Sequence, residues 1–265
     1  MPLLGSDGLR KIRSGEITFG LGVYHLRGAP ASLLAKAAGY DWLFIDCEHG
    51  AMSTQEASQI SIAALSTGVT PIVRICKGAL DEGTRALDNG ALGLVVPHID
   101  TVEEARVLVD AFRFPPMGHR SSGGPAAQFG YKAPAMVPMQ TELNQQILLV
   151  AMIESPKGVE NADAIAAVDG IDALLIGTND LCAEMGIIGQ LGHERVQAAY
   201  ETVGKACARH NKVLGMGGVY DQELTTRYIK LGARFILAGG DHALLMDAAS
   251  RRTAFLGEVG GSAAN

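Results

Sequence analysis

Residues 41–75 read DWLFIDCEHGAMSTQEASQISIAALSTGVTPIVRI, and the order of patterns in this stretch decides the fold. The short apolar run Trp42–Asp46 has the composition of a parallel strand covered on both faces. An amphipathic segment follows over Thr54–Ser66, with apolar residues at helical spacing. Pro71–Arg74 then repeats the apolar run. The same alternation extends in both directions. It predicts strands at Thr18–Val23, Gly93–Val96, Ile147–Ile153, Ala173–Ile176, Val213–Met216 and Arg234–Leu237, with helices such as Val102–Phe112, Val196–His210 and Gln222–Leu231 between them. In Asn89-Gly90-Ala91 and Leu231-Gly232-Ala233 a glycine stands between helix and strand, where a helix C-cap needs a left-handed residue. About eight strand–helix units predict an α/β chain folded as a (β/α)8 TIM barrel; a doubly wound open sheet is the alternative.

At 265 residues the chain is of ordinary length for one such barrel, and a single domain over 1–265 is expected. Hydrophobic residues make up 48% and charged residues 19%, which excludes a disordered chain. A net charge of −6 without any run of Lys and Arg argues against nucleic-acid binding. There is no apolar run of membrane-spanning length and no secretory-signal pattern at the N-terminus, so no membrane partner and a cytoplasmic location are expected. Cys47, Cys76, Cys182 and Cys207 are scattered, as in a protein of reduced thiols. One stretch breaks the rhythm: residues 113–143, containing RFPPMGHRSSGGPAAQFG, are expected to form a long mobile loop over the barrel mouth.

In such a barrel chemistry sits at the C-terminal ends of the strands, and polar residues fall there. The second strand runs into Asp46, Glu48 and His49; the third ends at Arg74; the fifth ends at Glu154; the sixth runs into Gly177, Thr178, Asn179 and Asp180. Two carboxylates at one mouth repel, and a divalent cation such as Mg²⁺ or Mn²⁺ resolves the repulsion through oxygen ligands. Asp180 equally suits a helix N-cap. His49, with Asp46 as partner, is a candidate for proton transfer; His98, after the fourth strand, is second. Arg74 either bridges a carboxylate such as Glu48 or meets an anionic substrate. Backbone N–H groups opening a helix at Gly177–Asn179 suit a carboxylate. Asp88, at the end of the helix before the fourth strand, reads as a solvated residue unless a neighbouring subunit approaches it.

Taken together, FIDCEHG (44–50), PIVRI (71–75), MIESPKGVEN (152–161) and GTNDLCAEMG (177–186) resemble the HpcH/HpaI family of class II, pyruvate-dependent aldolases, in the same order along the chain. The likeness runs from LGVYHLRGAP (21–30) to RFILAGG (234–240) and extends to the 2-keto-3-deoxy sugar acid aldolase type. It implies a barrel of the phosphoenolpyruvate/pyruvate type assembled as a homo-oligomer, usually a hexamer. It implies that Glu154 and Asp180 ligate Mg²⁺, Mn²⁺ or Co²⁺, and that Arg74 contacts the keto oxygen. It further implies that His49 with Asp46 transfers protons through water, that the Gly177–Asn179 backbone, including Thr178, receives the pyruvate carboxylate, and that Asp88 reaches an adjacent subunit's site. The chain departs from the family at Gly177-Thr178-Asn179-Asp180, where relatives often read GPxD. It departs again at Met152, where some carry Gln, and at GHRSSGG (118–124), which leaves Arg120 a weak substrate ligand.

The activity implied is reversible cleavage of a 4-hydroxy-2-oxo acid into pyruvate and an aldehyde through a metal-stabilised pyruvate enolate, that is, an aldehyde-lyase. A decarboxylase of the oxaloacetate type uses the same enolate, and a catalytically silent binding barrel is the alternative of another class. No nucleotide cofactor is expected. Neither is a Schiff-base lysine: Lys77 and Lys157 lie beyond strand ends and Lys212 precedes a strand.

Overall fold

In the computed structural model, which describes residues 3–124, 126–132 and 134–262, eight parallel strands close into a barrel in sequence order, β8 pairing back to β1. The elements are α1 (Asp7–Arg13), β1 (Thr18–Val23), α2 (Ala29–Ala37), β2 (Trp42–Asp46), α3 (Thr54–Thr67), β3 (Thr70–Arg74), α4 (Leu80–Asp88), β4 (Gly93–Val96) and α5 (Val102–Phe112). They continue with a 3₁₀ turn at Ala127–Phe129, α6 (Met136–Gln146), β5 (Leu148–Ile153), α7 (Pro156–Glu160), α8 (Ala162–Ala166), β6 (Ala173–Gly177), α9 (Thr178–Glu184), α10 (Glu194–Arg209), β7 (Val213–Gly217), α11 (Gln222–Lys230), β8 (Phe235–Gly240) and α12 (Asp241–Ser262). The expected (β/α)8 barrel is present. Strand boundaries differ by a residue or two, except that β8 runs three residues further, to Gly240.

Every residue of β2, β3, β4, β5 and β6 is buried, which is why these strands read as unbroken apolar runs. Trp42 and Phe235 stack inside the barrel with ring centroids 3.9 Å apart. Gly20 faces Trp42 so closely that a Cβ there would lie 2.4 Å from the indole ring. Ser53 with Glu56, and Thr101 with Glu104, form capping boxes that start α3 and α5 where β2 and β4 hand over to their helices. Gly90 and Gly232 take positive φ values of 106° and 110° between helix and strand.

The expectation for residues 113–143 is corrected in position. An α-to-β connection begins where the helix ends, at the face opposite the strand C-termini, and this one stays there. Arg113 is buried, and its guanidinium donates to Gly170 O, Asn144 O, Ile147 O and Asp172 Oδ2. Gln128 Nε2 donates to Leu87 O and Ala91 O at 2.6 and 2.9 Å. These acceptors lie at helix ends and strand starts, so the described residues of the segment pack under the barrel, away from the mouth. Pro and Gly enrichment signals irregular backbone but carries no information about which end of the barrel that backbone serves.

No helix among the described residues is long and apolar enough to cross a membrane. The last helix, α12, packs chiefly on β8 and β1. Beyond its first residues it exposes Leu244, Leu245, Met246, Phe255, Leu256 and Val259.

Candidate active site

At the C-terminal end of β2, Asp46 is fully buried and organises its surroundings through both carboxylate oxygens. Oδ1 accepts the backbone N–H groups of Glu48 and His49, which shapes the turn after the strand. Asp46 and Arg74 are register partners on β2 and β3. Arg74 Nε donates to Asp46 Oδ1 at 3.0 Å and its Nη2 donates to Asp46 Oδ2, a bidentate pair. Arg74 Nη1 lies 3.1 Å from Glu48 Oε2, and the guanidinium stands 5.0 Å from the Phe44 ring centroid. Burial alone would lower the Arg74 pKa, but the hydrogen bonds and charges of Asp46 and Glu48 outweigh it, so Arg74 stays cationic.

Asp46 therefore supports Arg74 rather than the His49 ring, which corrects the expected Asp46–His49 pairing. The Asp46 carboxylate is fully buried beneath the turn, whereas the His49 side chain is exposed at the cavity. The carboxylate nearest that ring is Glu48, with Oε2 3.9 Å from Nε2.

Across the barrel, Glu154 follows β5 and is 1% exposed. Its Oε2 accepts the His98 N–H at 2.9 Å, and His98 Nδ1 lies 3.4 Å from the same oxygen. His98 adopts φ +54°, a left-handed conformation uncommon outside glycine, and so turns its N–H toward the carboxylate. Glu154 Oε1 lies over Gly177, where a Cβ would come within 2.4 Å of it; only glycine leaves room for this carboxylate. Burial pushes the Glu154 carboxyl up to about 7; the His98 N–H opposes that shift and the Asp180 charge adds to it.

Asp180 sits in the first turn of α9, with Gly177 as the N-cap, so the N-cap reading of Asp180 does not hold. Thr178 Oγ1 turns away, donating to Gly217 O at 2.7 Å beside the Tyr200 hydroxyl at 2.8 Å, and it ties β6 to β7 and α10. A Cβ at Gly218 would lie 2.5 Å from Asn179 Nδ2.

His49, Arg74, Gly177, Thr178, Asn179 and Asp180 line one cavity of about 160 Å³ together with Tyr24, Phe44, Met152, Gly217, Gly218, Tyr220 and Leu237. Met152 precedes Glu154 on the same face of β5, and its thioether is a wall where a polar side chain would offer hydrogen bonds. Asp88 and Arg120 lie elsewhere, paired at 2.7 Å near the opposite end of the barrel. Arg120 is thereby corrected as a ligand of its own chain's cavity, because the connection that carries it stays at that end. Tyr24 and Tyr220 are cavity residues that strand-end reasoning passes over. Tyr24 has a visible address, one residue beyond a predicted strand, but a tyrosine there reads as packing.

A hard divalent cation fits this donor set. Glu154 is a buried carboxyl held on one oxygen by His98, with its other oxygen on the side that Gly177 keeps open, and Asp180 supplies a second carboxylate. Among the described residues no group of three or more His, Cys, Asp and Glu converges, so water or substrate oxygens would complete the shell.

A family model described as HpcH/HpaI aldolase/citrate lyase matches residues 23–248. The 4-hydroxy-4-methyl-2-oxoglutarate aldolase of Hapsidospora irregularis is 39% identical over 89% of this chain and 88% of its own length. A hydroxypyruvate/pyruvate aldolase of Pseudomonas aeruginosa is 35% identical, covering 89% and 87%. The crystal structure of an HpcH/HpaI aldolase from Desulfitobacterium hafniense superposes with a TM-score of 0.88 at 31% identity, over 93% of this chain and 95% of that one. By this match over most of its length, the chain belongs to the HpcH/HpaI aldolase/citrate lyase family.

Proposed function

We propose that this chain is a divalent-metal-dependent aldolase that reversibly cleaves a 4-hydroxy-2-oxo acid into pyruvate and an aldehyde. The observation that carries the reading is a single cavity reached by the Asp46-braced Arg74, His49 and Asp180, with Glu154 buried against its Gly177 wall. A cation held by Glu154 and Asp180 would bring positive charge to the carboxylate and keto oxygen of the 2-oxo acid.

Arg74 carries five N–H donors, and the contacts to Asp46 and Glu48 occupy three, leaving two for a substrate oxygen. Because the fork is already fixed, it stabilises negative charge developing on the C2 oxygen without reorganising, and such preorganised stabilisation dominates the rate enhancement of many enzymes. His49 takes the C4 hydroxyl proton, directly or through water, as the C3–C4 bond breaks, and a proton returned through water to C3 converts the enolate to pyruvate. Thr178 and Asn179 offer backbone N–H groups to the pyruvate carboxylate at the start of α9. Lys77 is engaged by His98 O and Glu104 and is not part of the cavity wall, which supports metal-dependent rather than Schiff-base chemistry.

The test is pyruvate with a panel of aldehydes in the presence of Mg²⁺, Mn²⁺ or Co²⁺. New 4-hydroxy-2-oxo acids are expected, dependent on metal and abolished by EDTA. Turnover that survives EDTA, or a pyruvate adduct trapped by borohydride, would overturn the assignment.

The same proposal extends to a homo-oligomer, most simply a hexamer. Two features support it: the apolar residues that α12 leaves exposed, and the placement of Asp88 and Arg120 far from their own cavity. Sedimentation is expected to show a multiple of 27.8 kDa; a single-chain mass at micromolar concentration would rule it out.

A further inference from the structure

In a closed ring of eight strands β1 stands opposite β5, so the wall formed by β1 and β8 faces Glu154 across the mouth. A substrate whose carboxylate and keto oxygen sit on the β5–β6 side directs C4 toward that far wall. Tyr24 is the first residue beyond β1 and lines the cavity there. Its ring lies over glycines of two adjacent strands: a Cβ at Gly22 would come within 2.7 Å of Tyr24 Cε2, and one at Gly240 within 3.0 Å. A side chain at Gly22 would force the ring to shift, and one at Gly240 would press against it.

The backbone beneath the ring is fixed. Asp241 Oδ2 accepts the N–H groups of Tyr24, His25 and Leu26 at 3.1, 2.8 and 2.6 Å. Those hydrogen bonds hold the Asp241 carboxyl below the usual range against the opposing effect of burial. The His242 ring meets Tyr24 edge-on at 5.1 Å. The phenol is thus held in place, yet its hydroxyl has no hydrogen-bond partner among the described residues. It lies within electrostatic reach of Asp46, Arg74 and Tyr220.

We infer that the Tyr24 hydroxyl donates a hydrogen bond to the oxygen on C4, the carbonyl oxygen of the aldehyde in the direction of synthesis. The inference rests on the aldolase reading above. Burial pushes the phenol up to about 12, so Tyr24 keeps its proton throughout. In synthesis a C3–H bond of pyruvate breaks and its proton passes through water to His49; the resulting enolate C3 bonds to the aldehyde carbon, and the electron pair of the carbonyl moves to its oxygen. Tyr24 stabilises that oxygen while His49 delivers the proton. In cleavage the proton returns to His49 and the Tyr24 hydrogen bond remains on the departing carbonyl. An aldehyde whose carbonyl carbon becomes C4 and whose oxygen is unhindered is the class this arrangement recognises.

The experiment separates the two halves of the reaction in the metal-loaded protein. Exchange of the pyruvate methyl protons with D₂O reads the half that needs no aldehyde; addition of pyruvate to glycolaldehyde reads the whole. Tyr24→Phe removes one oxygen and leaves the ring on its glycine bed. It is expected to lower kcat/KM for addition roughly 100-fold, in the range found for a lost transition-state hydrogen bond. Proton exchange and the Mn²⁺ dissociation constant should stay within about twofold of wild type, the range left for a distant wall residue. An equal fall in exchange and addition, or no fall in addition, would overturn the assignment of Tyr24. Absence of exchange in the wild type would overturn the pyruvate reading itself, and the role of Tyr24 with it.

Discussion

Glu154→Gln is expected to abolish metal binding and turnover together, and to remove a pH dependence from the stability of the metal-free protein. The carboxyl is 1% exposed and pushed up to about 7, chiefly by burial. In the unfolded chain it ionises near 4.5. Between these values the folded protein holds a proton that the unfolded chain has released, so stability is greatest below about 4.5 and declines as pH rises toward 7. The shift corresponds to about 3 kcal/mol lost across that window, with no further loss from this group above it. Gln keeps an acceptor oxygen for the His98 N–H and has nothing to ionise, so melting curves in EDTA from pH 4.5 to 8 should be flatter by about that amount. A bound cation neutralises the same carboxylate, and calorimetric titration with Mn²⁺ should show binding in the wild type and none in the variant. Turnover should fall on the order of 1,000-fold or more, since charge stabilisation worth several kcal/mol disappears. Full activity in Glu154→Gln would remove this residue from the site.

The second large effect is at Asp46. Asp46→Asn keeps the shape but replaces an oxygen that faces the Arg74 fork with an N–H₂ group or forces the amide to turn. Either way a buried guanidinium loses half of a bidentate partner and most of its charge compensation. Breaking a buried pair on one side costs about 3 kcal/mol or more. The turn carrying Glu48 and His49 loosens as well, because the same carboxylate accepts both N–H groups. Expected results are a urea midpoint shifted to match, kcat reduced by roughly 100-fold through misplacement of Arg74, and an Mn²⁺ affinity close to wild type. Unchanged kcat and unchanged stability would show that Glu48 alone suffices to brace Arg74. Loss of metal affinity would show that the two sides of the mouth are coupled.

These expectations draw on features of unequal visibility in the sequence. Strands β2 and β4 are legible residue for residue because a strand covered on both faces has no polar alternation to blur its ends. Helices α3 and α5 are legible for a related reason: their apolar stripes face the barrel, and Ser53 and Thr101 cap them. The polar residues after the second, third, fifth and sixth strands are also readable, since a barrel brings strand ends together whatever their separation along the chain. Residues 113–143 are misplaced by the same reading, because irregular composition identifies a connection without saying which end of the barrel it serves.

Local pattern by itself thus determined the alternation of strands and helices and the candidate set His49, Arg74, Glu154 and Asp180, because covered strands and amphipathic helices write their burial into hydrophobic spacing; an open sheet fits the same alternation, and closure of the strands into a barrel is a tertiary fact. Only the tertiary structure decided which of these groups hold one another. Asp46 braces Arg74 rather than the His49 ring, Gly177 makes space for Glu154, His98 turns a strained backbone toward it, and Tyr24 rests on glycines from two strands. Such pairings depend on angles and approaches of a few tenths of an ångström between residues distant in sequence, and hydrophobic periodicity carries no record of them.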